Sequence, residues 1–113
     1  MLLADERLDY LTKENLRIIQ NDEVFSFSTD ALLLAHFTKV KKQDTIMDLC
    51  SGNGVIPLLI SNKGKHNIDG IEIQQQLVDM AQRSIAYNQL GDRIHMYHMD
   101  LKEAHKQFKP SQY

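Results

Sequence analysis

The sequence predicts an α/β domain of parallel strands joined by helical crossovers, preceded by a hairpin and a helix. Three observations carry this reading. From residue 44 onward, short apolar runs alternate with helical stretches, the pattern of a parallel sheet. A glycine-rich break, "SGNG", follows the first run directly. The carboxyl ends of the three runs carry acids: Asp48, Glu72 and Asp100. Such sheets bind ligands at the carboxyl ends of their strands, so these acids define one rim.

Taken in order, "LRIIQNDEVFSFS" at 16–28 holds two β-favouring runs around Asn21-Asp22, and a small hairpin is expected there. "STDALLLAHFTKV" then changes period. Ser28 or Thr29 caps a helix reaching about Val40, with Asp30 in its first turn where the helix dipole favours a negative charge. "DTIMDLC" has the length and apolarity of a buried strand. "VIPLLISNKG" follows as a helix, with Pro57 in its first turn and Gly64 just past its end. "NIDGIEI" is the second strand. In "QQQLVDMAQRSIAYNQLG", Leu77, Met80, Ala81, Ser84 and Ile85 share one helical face, and Gly91 is expected to close the helix. "RIHMYHM" is the third strand, followed by Asp100, a short helical stretch "LKEAHKQF" and a break at Pro110.

Composition narrows the class. The chain has 113 residues, 42% hydrophobic and 25% charged, as in ordinary globular domains. No apolar run approaches the roughly 20 residues of a membrane helix. The opening "MLLADERLDYL" breaks its apolar residues with charges, unlike a signal peptide. A single cysteine, Cys50, cannot form an internal disulfide, which fits a cytoplasmic protein. The net charge of −2 argues against a free-standing nucleic-acid-binding module, which carries a basic excess.

The loop then selects a ligand. A dinucleotide fingerprint needs a third glycine, where this chain has Pro57, and Asp48 repels a pyrophosphate. S-adenosyl-L-methionine has no phosphate and carries a cationic sulfonium and amino group, which a carboxylate attracts. Gly52 and Gly54 allow close backbone approach. Glu72 follows Gly54 by 18 residues, at the next strand end, where an acid can accept bonds from both ribose hydroxyls. Asp100 can accept from the adenine amine. At position 50 a small, weakly polar side chain suffices, and cysteine meets that need.

At this point the sequence resembles a known family. "IMDLCSGNGVIPLLIS" is similar to the first motif of class I methyltransferases, and "IDGIEIQ" and "MDLKE" to their second and third. With "FSFSTDALLLA", "DLCSGNGVIPLL" and "MAQRSIAYN", the likeness is closest to the bacterial tRNA(Val) adenine-N6 methyltransferases, from about Leu8 onward. The resemblance implies a partial class I, Rossmann-like fold. Residues 1–43 form the hairpin and leading helix, and 44–113 the first half of the S-adenosyl-L-methionine-binding domain. By position, it puts Asp48, Cys50, Gly52, Asn53 and Gly54 around the methionine part of the cofactor, with Thr29 towards the same end. It puts Glu72 on the ribose, Ile73 against the adenine face, and Asp100 with the Leu101 backbone at the adenine edge. The implied partner of the full-length protein is tRNA.

One departure matters. The family methylates a poorly nucleophilic amine with an Asn-Pro-Pro-Tyr loop after the fourth strand, which grips the amine and stacks on the flipped-out base. This chain has only Pro57 and Pro110 and no Asn-Pro-Pro, so no catalytic residue is assigned and the 113 residues are expected to be inactive alone. A truncated chain is favoured over a non-catalytic cofactor-binding or scaffold module. Related enzymes acting on a guanine amine of rRNA or a glutamine amide of a release factor share the cofactor half. Truncation leaves "DTIMDLC" with an unpaired edge, and self-association is expected from it.

Plainer readings stand beside these. His95 and His98 are three apart on a strand and point to opposite faces, so no metal site is expected. Cys50 reads as a small packed loop residue before it reads as a nucleophile. Lys39, Lys41 and Lys42 read as a solvated turn. Glu72 has an alternative role as a cap for the helix that follows it.

Overall fold

A computed structural model of the chain describes residues 1–11, 16–22, 45–49, 51–61, 63, 67–100 and 102–103. Five strands and two helices are described: β1 (Arg7–Tyr10), β2 (Arg17–Gln20), β3 (Thr45–Leu49), α1 (Val55–Ser61), β4 (Asn67–Glu72), α2 (Gln75–Tyr87) and β5 (Ile94–His98). β3, β4 and β5 form one parallel sheet with β4 in the middle. Its register aligns Ile46, Ile68 and Ile94 in one cross-strand row. Ile68 is fully buried, with Val55, Leu58, Val78, Ala81, Ile85 and Met96 packed in the same core. Burying each large aliphatic side chain contributes about 1.5–3 kcal/mol, which holds the helices against the sheet. The strand–helix alternation of the sequence and its parallel sheet are therefore both present.

Both helices start where the loop chemistry allows. The Gly54 carbonyl accepts the Leu58 N–H (3.1 Å), the first bond of α1, and Pro57 sits in that turn, where no N–H is needed. α2 buries Leu77, Val78, Met80, Ala81, Ser84 and Ile85, the face expected from its periodicity. Its end differs from expectation. Gln89 takes the left-handed conformation (φ 59°), donating to the Ala86 carbonyl at 3.1 Å, while Leu90 N–H reaches the Ile85 carbonyl at 3.0 Å. This is a Schellman closure with glutamine in the place glycine favours. Gly91 lies beyond it, in open space.

A hairpin is present earlier in the chain. β2 pairs antiparallel with the preceding strand β1, Leu8 opposite Ile19 and Tyr10 opposite Arg17, a pairing the sequence reading did not anticipate. The polar residues of β1 support this pairing, because they find partners on β2 and just after it. Arg7 binds Asp22 at 2.6 Å, the Gln20 amide donates to Asp9 at 2.7 Å, and the Arg17 guanidinium stacks on the Tyr10 ring at 3.6 Å. The segment 23–28, the helix expected to reach Val40, Gly64 and Pro110 lie outside the described residues.

Gly70, at the centre of the sheet, is there for space. A Cβ on it would run into Ser51 Oγ and stand 2.6 Å from Met96 Sδ. Its absence lets the loop after β3 fold back over β4. Among the described residues β3 pairs with β4 alone, whereas the outer edge of β5 is partly closed by the Gln82 amide, which donates to the Met96 carbonyl at 3.3 Å.

Candidate functional site

The parallel register brings the carboxyl ends of the three strands nearly level, Leu49 opposite Ile71 and Glu72 opposite His98. The loop after β3 stays on the sheet: Ser51 N–H donates to the Ile71 carbonyl at 2.8 Å, and the Ser51 hydroxyl to the Asp48 carbonyl at 3.0 Å. Gly52 (φ 57°) and Gly54 (φ 89°) then reverse the chain into α1, conformations that favour glycine. Gly54 has a second reason to lack a side chain. A Cβ there would lie 3.1 Å from the Ala81 Cβ of α2.

Glu72 ties the loop to the second strand end. One carboxylate oxygen accepts the Gly52 N–H at 2.9 Å and the other the Gln74 N–H at 3.0 Å. Gln74 precedes α2 and makes no side-chain cap of its own. The capping alternative for Glu72 is thus partly realised, and so is a contact with the glycine loop. An ionised carboxylate offers about four acceptor positions, so two bonds leave Glu72 room for further donors at the rim.

Asp48 is the unusual group. Its Oδ2 is buried and, among the described residues, has no hydrogen-bond partner. Burial pushes its carboxyl above the ordinary carboxylate range, and the nearby negative charge of Glu72 adds to the shift. Two acids are held together with one oxygen unsatisfied, a high-energy arrangement that a cation would relieve.

The other predicted positions divide. Asp100 follows β5, and its Oδ1 accepts the Lys102 N–H at 3.0 Å, so it starts the next helical turn with its second oxygen left over. Ile73 is 59% exposed beside Glu72, an apolar surface at the rim, and its carbonyl meets His98 Nε2 at 2.8 Å. Asn53 is fully buried, with its amide donating to the Ile19 carbonyl of β2 at 3.0 Å. The structure therefore gathers Asp48, Gly52, Gly54 and Glu72 into one cluster, with Ile73 and Asp100 on the neighbouring tips. Thr29, Cys50 and Leu101 lie outside the described residues.

Sequence reading missed the roles of Ser51 and Gly70 in shaping this loop. The hydroxyl of Ser51 inside a glycine-rich turn and a glycine inside a buried strand were the available signals. A separate cavity of about 300 Å³ lies between α2 and β5, lined by Gln82, Ile85, Ile94 and Met96 among others, and holds none of the three acids. Among the described residues no group of three His, Cys, Asp or Glu side chains could hold a metal ion, and no helix is long and apolar enough to cross a membrane.

Comparison with known proteins bears on this rim. The profile of the methyltransferase small domain matches residues 15–110. A Proteus mirabilis protein named tRNA1(Val) (adenine(37)-N6)-methyltransferase is 30% identical over 87 residues, covering 75% of this chain and 34% of its own length. A Haemophilus influenzae protein of the same name is 28% identical over 93 residues, covering 80% of this chain and 40% of its own. The chain thus spans about a third of the length of the curated relatives it matches. Among solved structures, Pyrococcus horikoshii TYW2 in complex with MeSAdo superimposes with a TM-score of 0.74 at 19% identity, covering 89% of this chain and 38% of that one. The Pyrococcus abyssi tRNA (uracil-54, C5)-methyltransferase in complex with S-adenosyl-L-homocysteine gives 0.64 at 14% identity, covering 85% and 24%. At these identities the likeness is one of fold: the class I, Rossmann-like sheet.

Proposed function

The chain belongs to the methyltransferase small domain family, and from that premise we propose that its strand-end rim binds S-adenosyl-L-methionine. The observation that carries the reading is the buried, unpartnered Asp48 Oδ2 beside Glu72. A cationic ligand supplies what that oxygen lacks, and the bound cofactor supplies an electrophilic methyl group on a sulfonium centre. Asp48 faces the cationic methionine part, and Gly52 and Gly54 let the loop backbone come close. Glu72 accepts from the ribose hydroxyls with its remaining lone pairs while holding the loop in place. Ile73 offers its exposed side chain to the adenine face, and Asp100 its free oxygen to the adenine edge. Thr29, Cys50 and Leu101 join the site on the resemblance alone.

Calorimetry with S-adenosyl-L-homocysteine tests the site. Glu72→Gln keeps one acceptor oxygen and loses the charge, and is expected to weaken binding by about 1–3 kcal/mol, the scale of a charged hydrogen bond. Unchanged affinity removes Glu72 from the site.

For the whole protein we propose methyl transfer to an adenine amine of tRNA, supported by the names of the curated relatives. The 113 residues contain no Asn-Pro-Pro sequence to grip such an amine, and alone they are read as binding the cofactor without turnover. Self-association is proposed through the side of β3 away from β4. Sedimentation at rising concentration is expected to show dimers or larger species, and a monomer throughout would end that proposal.

A further inference from the structure

At Arg17 and Ile19 the outer edge of β2 is closed by side chains. β1 covers one edge of β2, and the N–H and C=O groups of Arg17 and Ile19 point the other way. All four of them have side-chain partners. Asn88 Oδ1 accepts the Arg17 N–H at 2.9 Å, and Asn88 Nδ2 donates to the Arg17 carbonyl at 2.6 Å. Ser84 Oγ accepts the Ile19 N–H at 2.9 Å, and Asn53 Nδ2 donates to the Ile19 carbonyl at 3.0 Å. Ser84 of α2, its C-cap Asn88 and one residue of the glycine loop therefore complete the ladder at Arg17 and Ile19.

We propose that the N-terminal hairpin is a positioning element for the glycine loop, with Asn53 as the pin and Ser84 and Asn88 as the clasp that holds β2 in register. Asn53 stands between Gly52 and Gly54, both in left-handed backbone conformations. It is fully buried, and among the described residues its Oδ1 has no partner, so the Ile19 carbonyl is what anchors its side chain. A shift of β2 along α2 moves that carbonyl. It thereby moves the loop whose Gly52 N–H meets Glu72. Asn53 is then a positioning residue and not a cofactor contact. The inference rests on the proposed cofactor site for its consequence in binding, and on the hydrogen bonds alone for the coupling.

The test uses Asn53→Ala, Asn88→Ala and their combination in the 113-residue chain, each held well below its melting transition. Two readouts are followed: the ¹⁵N–¹H resonances of Gly52 and Gly54, and affinity for S-adenosyl-L-homocysteine. Asn88 lies two helical turns from Ala81, the residue that touches Gly54. Even so, Asn88→Ala is expected to shift both glycine resonances and to weaken binding by about tenfold. The double variant is expected to lose no more than Asn53→Ala does, because both act through β2. A lower melting temperature with unmoved glycine resonances and wild-type affinity would overturn the proposal, as would additive losses. Should Asn88→Ala not fold, Asn88→Asp keeps the acceptor for Arg17 N–H, removes the donor, and is read in the same way. If the wild-type chain binds no S-adenosyl-L-homocysteine, the cofactor reading falls while the glycine resonances still decide the coupling.

Discussion

The Gly54→Val substitution is expected to lower the melting temperature by roughly 8 °C or more, taking ~1 kcal/mol as ~4 °C or more for a domain of this size. Two separate costs add. A β-branched residue at φ 89° is strained whatever surrounds it, at about 1–3 kcal/mol. Its Cβ also lands 3.1 Å from the Cβ of Ala81, which a helix in the core holds still. Overpacking of that kind costs about 1–3 kcal/mol more. The steric part can be isolated in a double-mutant cycle of Gly54→Ala with Ala81→Gly. A favourable coupling of about 0.5–3 kcal/mol is expected, and strictly additive melting data would show that contact with Ala81 is not the cause.

Asp48→Asn is expected to move stability and affinity in opposite directions. Burial and the Glu72 charge hold the Asp48 carboxyl above its ordinary range, so the folded chain binds its proton more tightly than the unfolded chain does. Between those two affinities the folded state carries more protons, and stability falls as pH rises. At neutral pH the buried acid is therefore a net burden, and asparagine removes it. The expected gain is about 0.5–2 kcal/mol in chemical denaturation, typical of relieving strain at a functional site. Affinity for the cationic S-adenosyl-L-methionine is expected to fall tenfold or more, on the scale of ~1.5–3 kcal/mol for a bond to a charged group. Glu6 acts with the opposite sign. Hydrogen bonds from Arg83 lower its carboxyl below the usual range, so its contribution is lost as pH falls. Wild type minus Asp48→Asn cancels that background. A variant no more stable than wild type at pH 7 would contradict the account of Asp48.

The parallel sheet and its rim were legible because each strand is a short apolar run and each helix repeats its apolar residues at helical spacing. Asp48, the glycines and Glu72 follow from their places in that alternation. The hairpin partner was not legible. "RLDY" alternates charge and reads as surface, and only its pairing with Asp22, Gln20 and Arg17 shows it as a strand. The end of α2 misled in the usual way: Gly91 is the stronger local signal, yet the chain turns at Gln89. Asn53 and Ser84 were visible as residues but not in their roles, since a side chain bonded to a distant strand edge leaves no periodic trace. An oxygen without a partner, as in Asp48, can be found only after the chain has been folded around it.

The bonds that hold β2 reach across 65 residues from Ile19 to Ser84 and 71 from Arg17 to Asn88. On a ribosome adding about 5–20 residues per second, the hairpin emerges roughly 3–14 s before those partners exist. Throughout that interval Ile18 and Ile19, both fully buried at the end, lack the part of their cover that α2 supplies. β2 is accordingly synthesised well before the side chains that fix its register, and its exposed apolar face is a place for a chaperone to bind.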